Sequence, residues 1–120
     1  MIFEKESETG HIEYKRNMLF TCDSKTKKYA SQMDWRIRQN KGRKYAIYYI
    51  GVDDNGDIYG IPLDEIERNL FRLVNIVTYA ELSIVYIHFI LINDKIIIKT
   101  RIKRSRGGNN IKNSIGAFIF

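Results

Sequence analysis

The sequence predicts an α+β domain in which a mostly antiparallel sheet of about five to six strands packs against two helices. Three observations carry this. Residues 44–52 and 83–104 hold apolar or alternating runs of strand length. Two other segments repeat apolar residues at helical spacing. Asn55-Gly56 and Asn93-Asp94 supply turn chemistry between strand-like runs. A hydrophobic fraction of 44% in 120 residues is enough for one packed core, and 28% charged residues is ordinary for a folded domain.

Within residues 10–20, the segment His11-Ile12-Glu13-Tyr14-Lys15 alternates around Ile12 and Tyr14 and reads as a first strand. From about Lys25 to Asn40, Tyr29, Ala30, Met33 and Ile37 recur at helical spacing, which leaves Lys27, Lys28, Arg36 and Arg38 for solvent. Gly42 is a plausible stop. Lys44 to Val52 is apolar on both alternating sets, the pattern of a central strand covered on both faces. Asp53 to Asp57 turns the chain into a short strand, Ile58 to Ile61. Pro62 then opens a helix whose buried face is Ile66, Leu70, Leu73, Val74 and Val77. Ser83 to Ile92 turns at Asn93-Asp94 into Ile96 to Arg104. There Ile96, Ile98, Thr100 and Ile102 face one way, and Ile97, Lys99, Arg101 and Lys103 the other. Residues 105–120 form a basic, Gly/Asn-rich segment and a last apolar stretch that docks as a strand or frays, which leaves 1–104 as the single domain.

The net charge of +6 is unevenly placed. From Lys95 onward there are seven basic residues and no acid, leaving residues 1–94 at −1. A neutral body with a basic C-terminal quarter points to a polyanionic partner; its competitor is a charged edge strand that blocks aggregation. One cysteine, Cys22, excludes an internal disulfide and fits a reducing compartment. The first residues lack a secretory core, and the longest apolar run is too short to span a bilayer. The expectation is a cytoplasmic protein without membrane contact.

Three stretches together resemble a known family: Glu8-Thr9-Gly10-His11-Ile12-Glu13-Tyr14-Lys15, Ser31-Gln32-Met33-Asp34-Trp35-Arg36-Ile37, and Ile50-Gly51-Val52-Asp53-Asp54-Asn55-Gly56 with Tyr59-Gly60-Ile61. In this order they are similar to the N-terminal region of GTP-binding-protein-1-like translational GTPases, over roughly residues 6 to 104. The first and third stretches also resemble the AlbA-type domain of Schlafen proteins. The GTPase engine is not matched. Counted from Gly107, Lys112 falls where a phosphate-binding loop needs its second glycine, and Asn113 where it needs its lysine. The resemblance therefore implies an accessory domain facing RNA or the ribosome, without cofactor and without GTPase activity.

The Schlafen likeness implies an alternative. Glu8, Glu13 and Asp53 would hold Mg²⁺ or Mn²⁺ for ribonuclease chemistry, with Lys15 at the phosphate. Read on the residues alone, Glu13 and Lys15 equally suit a salt-bridge pair, and Asp53 suits a turn. For nucleic-acid binding the candidates are Lys15, Lys99, Arg101, Lys103, Arg104 and Arg106. Lys99, Arg101 and Lys103 step about 7 Å apart along one strand face. Tyr45, Tyr48 and Tyr49 either stack on bases or sit in the core. Trp35, off the apolar helix line, either closes the core's edge or marks a partner surface. The third class is an interaction module, with a homodimer through the C-terminal strand.

Overall fold

The structure is a computed structural model that describes residues 2–20, 23–39, 44–105 and 114–119. Its elements run β1 (Ile12–Lys15), α1 (Asp23–Gln39), β2 (Tyr45–Ile50), a single 3-10 turn (Leu63–Glu65), α2 (Ile66–Tyr79), β3 (Leu82–Ile92), β4 (Lys95–Arg104) and β5 (Ser114–Ile119). The five strands form one sheet in the order β1-β2-β4-β3-β5. Its centre is antiparallel, β2 against β4 and β4 against β3. Both edges are parallel, β1 beside β2 and β5 beside β3. The sheet is thus mixed, with five strands and two helices as expected. Parallel β1 and β2 need a crossover, and α1 provides it. Asn93 and Asp94 both take positive φ, 48° and 63°, the two left-handed positions of the tightest hairpin turn.

Both helices lie on one face. Met33 and Ile37 of α1 and Leu73, Ile76 and Val77 of α2 pack on Ala46, Tyr48, Ile50, Ile98 and Ile102 from the sheet. Asn69 ties α2 to the chain after β1: its side-chain oxygen accepts the Met18 N–H at 2.6 Å and its amide donates to Glu65 O at 2.9 Å. Val74 departs from the expected buried face and is 45% exposed, because the buried line runs through Asn69, Leu73, Ile76 and Val77.

The opposite face carries only a small second cluster, at one end. Tyr14, Val52, Ile90, Ile92 and Ile97 pack there with Phe3, Tyr49 and Ile58. β2 is covered on both faces, as the sequence predicts: the helices bury Ala46, Tyr48 and Ile50, while on the other face Ile47 is buried and Phe3 from the N-terminal arm packs on Tyr49. No described helix lies over that second face, and along β4 it is open at Lys103 and half-open at Lys99 and Arg101. The expected strand Ile58–Ile61 is absent as a ladder. The chain turns at Gly51, whose single carbonyl accepts both the Tyr59 and Gly60 N–H groups. What remains is two isolated bridges, Val52 to Ile58 and Ile61 to Ile96.

Candidate nucleic-acid interface

Side chains at odd positions of β1 point to the helix side, and there the motif residues meet. Arg36, expected at the surface, is buried. Its Nε donates to Glu13 Oε1 at 3.1 Å, and its two terminal nitrogens donate to Gly10 O at 3.1 Å and Ser7 O at 3.2 Å. The Glu6 carboxylate lies 3.6 Å from the same guanidinium and accepts the Tyr14 N–H. One arginine of α1 thereby fixes the chain entering β1. A planar fork of five donors suits this, whereas a lysine would reach only one direction. Beside it, Lys15 Nζ donates to Gln32 Oε1 at 2.7 Å and lies over the Tyr29 ring. Burial pushes the Lys15 ammonium below its usual value, against the attraction of Glu13 and Glu6. The Tyr48 hydroxyl is buried near this cluster without a hydrogen-bond partner, and burial raises it well above the usual phenol value.

These contacts decide where the metal candidates go. Glu13 is committed to Arg36 beneath the sheet. Asp53 receives Arg16 at 2.9 Å at the hairpin. Glu8 is exposed in the chain before β1. The three do not meet: among the described residues, no group of three or more His, Cys, Asp or Glu side chains is placed to hold a metal ion. The physical reason is strand parity, which sends Glu13 through to α1 while the hairpin acid stays with Arg16.

Of the cationic candidates, the structure brings three together. Lys99, Arg101 and Lys103 run down β4, the middle strand, on the open face. Arg101 lies 4.2 Å from the Tyr45 ring centre and 5.4 Å from that of Tyr86. Lys99 lies between Tyr49 and Tyr86 at 5.6 and 5.9 Å. Among the described residues, none of the three has a carboxylate within ion-pair reach, unlike Arg16, Arg36, Arg38, Arg68 and Arg104. The Nε–H of Arg101 is buried and unpartnered. Arg104 belongs elsewhere, bound to Asp34 of α1 at 3.0 Å. Lys15 lies on the helix side, and Arg106 falls outside the described residues. Tyr48 is core, whereas Tyr45 and Tyr49 face the cation row. Trp35 is half-buried beside Arg36, 5.2 Å from its guanidinium.

Sequence reasoning missed Tyr86, His88 and Phe118. Tyr86 and His88 stack at 4.1 Å, and Phe118 meets His88 edge-on at 4.7 Å. A bulge explains the omission. The β3–β4 register slips between Ile84 and Tyr86. Leu82 and Ile84 therefore face the helices, whereas Tyr86, His88, Ile90 and Ile92 face the open side. Simple alternation cannot see an inserted residue. Burial and the neighbouring Lys99 hold the His88 imidazole below its ordinary value, so the ring is neutral at neutral pH.

Comparison with known proteins gives two relationships. Over 97 residues, 81% of the chain, it is 46% identical to uncharacterized protein R625 of Acanthamoeba polyphaga mimivirus. Over 68 residues, 57% of the chain, it is 35% identical to GTP-binding protein 2 of mouse and of human. The chain spans 52% of the viral protein's length and 11% of GTP-binding protein 2. It therefore contains a region related to part of a GTP-binding protein. No family model and no solved structure matches the chain. No described helix is long and apolar enough to cross a membrane.

Proposed function

We propose that this chain is a non-catalytic, RNA-facing domain of the cytoplasm, engaging RNA alone or within the ribosome through the open face of its sheet. The observation that carries the reading is the cation row Lys99, Arg101 and Lys103 on the middle strand, without a carboxylate partner among the described residues and with aromatic rings around Lys99 and Arg101. Elsewhere in the molecule most arginines are already neutralised by carboxylates. Three cations held together without a counter-charge among the described residues raise the local potential for a polyanion. Their spacing of about 7 Å lets each meet a different phosphate. The relation to part of a GTP-binding protein is consistent with an accessory role beside such an engine.

The test is RNA binding by anisotropy from about 50 to 200 mM salt, with Mg²⁺, with Mn²⁺ and with EDTA. Binding should fall steeply with salt, and each of Lys99→Ala, Arg101→Ala and Lys103→Ala should lower the salt slope by about one. The RNA should stay intact in all three conditions. Salt-insensitive binding, or none at low salt, would overturn the reading. Metal-dependent fragments abolished by Glu13→Ala would replace it with a nuclease.

A further inference from the structure

The register of β3, β4 and β5 says more than that cations are present. His88 pairs with Lys99 and Tyr86 with Arg101, so these two cations each have an aromatic ring directly beside them on β3, whereas Lys103 has Ser83 there and Tyr45 beside it on β2. The pairs repeat every second residue of β4, about 7 Å apart. On the next strand, Gly116 lies opposite His88. A Cβ there would come within 3.2 Å of the Phe118 ring and 3.3 Å of His88, so the glycine leaves room for the two rings to touch. Phe118 is itself 44% exposed. The other flank is closed: Phe3 lies edge-on to Tyr49 at 5.0 Å and to Tyr14 at 5.9 Å.

A repeating unit of one positive charge and one aromatic ring matches a repeating ligand unit of one negative charge and one planar base. An unpaired polynucleotide has that repeat, and its base faces are free. In a duplex the base faces are already stacked, and only phosphates and groove edges are offered. Resting on the RNA-facing reading, we propose that the open face takes an unpaired polynucleotide stretch, with phosphates along Lys99, Arg101 and Lys103 and bases turned toward Tyr86, His88 and Phe118. The neutral state of His88 is consistent with a stacking role, since its ring does not add a further charge at neutral pH.

The experiment uses the full chain and four probes of equal length at one salt concentration: unpaired RNA, the same RNA as a duplex, unpaired DNA of the same sequence, and inorganic polyphosphate. Unpaired RNA should bind at least about tenfold more tightly than the duplex, since stacking on even one ring is worth about that factor. His88→Ala and Phe118→Ala should each weaken unpaired binding by about tenfold and leave the salt slope unchanged, whereas Lys99→Ala should lower the slope by about one. Unpaired DNA matching RNA would support recognition of bases and charge alone; a preference for RNA would support it with a contribution from the 2′-hydroxyl. Duplex binding as tight as unpaired binding, or polyphosphate competing as well as RNA, would overturn the proposal and leave a plain cationic surface. Failure of every probe would remove the RNA-facing reading as well. The wild-type comparison of unpaired with duplex RNA decides the matter even where a substituted chain does not fold.

Discussion

Arg36 and Arg101 lie on opposite faces of one sheet, and the sequence treats them in opposite ways. Arg36 sits under the helix layer with Glu13, Glu6 and two carbonyls around it. Arg101 sits on the open face between two tyrosine rings, without a carboxylate partner among the described residues and with a buried Nε–H unpartnered. The same guanidinium has its donors filled by a carboxylate and carbonyls in the one place and keeps a buried Nε–H without a partner in the other. Charge alone does not tell the two apart; the number of acceptors around each does.

Replacing each arginine in turn tests this difference. Arg36→Ala takes the ion-pair partner from the buried Glu13 and leaves two carbonyls without their donor, and should cost about 3–5 kcal/mol of stability in chemical denaturation. Arg101→Ala loses cation–π contacts of about 0.5–1 kcal/mol each, but also removes an unpartnered donor, so its net cost should be under about 1 kcal/mol. Equal losses from the two substitutions would show that Arg101 is as structural as Arg36.

A second contrast, of smaller size, concerns two glycines before and after β1 and β2. Gly10 has φ +94° and open space where a Cβ would stand. Gly56 has φ +92°, and a Cβ there would collide with the Phe3 carbonyl at 2.3 Å and meet Glu4 at 3.0 Å. Both alanine variants carry the left-handed backbone cost of about 1–2 kcal/mol. Gly56→Ala should lose a further 1 kcal/mol or so, because the N-terminal arm must lift from the hairpin and Phe3 from Tyr14 and Tyr49. Identical melting shifts for the two would mean that the arm does not rest on Gly56.

The fold was legible where local chemistry decides it. The helical spacing of Tyr29, Met33 and Ile37, the Asn93-Asp94 turn, and the parity of β4 all stand as the sequence indicates. Position-specific outcomes set by non-local partners were not legible. Arg36 reads as solvent-facing until Glu13 and the carbonyls of residues 7 and 10 are brought to it. Gly51 hides the loss of the Ile58–Ile61 ladder, since the sequence does not show one carbonyl serving two donors. The open face was half legible: alternation places Lys99, Arg101 and Lys103 together, but the bulge after Ile84 determines that Tyr86 and His88 join them. The resemblance motifs point to the right residues for a different reason. Glu13, Lys15, Gln32 and Arg36 form the helix-side lock, so their spacing records how β1 is held to α1.

The smallest effect separates that lock from the open face by pH. Burial, followed by a hydrogen bond with Glu13, raises the Glu6 carboxyl to about 7, although the Tyr14 N–H pulls the other way. The folded protein therefore holds a proton on Glu6 that the unfolded chain gives up near 4.5. Because the folded value is the higher one, this stabilisation is fully present below about pH 4.5 and is lost as pH rises through about 7. Solvent around the partly exposed carboxyl reduces the effect to about 1 kcal/mol. Glu6→Gln mimics the protonated acid and keeps an oxygen for the Tyr14 N–H. Relative to wild type, the variant should gain stability as pH rises from 5 to 8 and show little difference at pH 4.5. His88, whose folded value is lowered, contributes stability of the opposite sign, gained as pH rises toward the ordinary imidazole range. That contribution is common to both proteins and cancels in the difference. A pH-independent difference between the two would show that the folded protein does not hold this proton on Glu6.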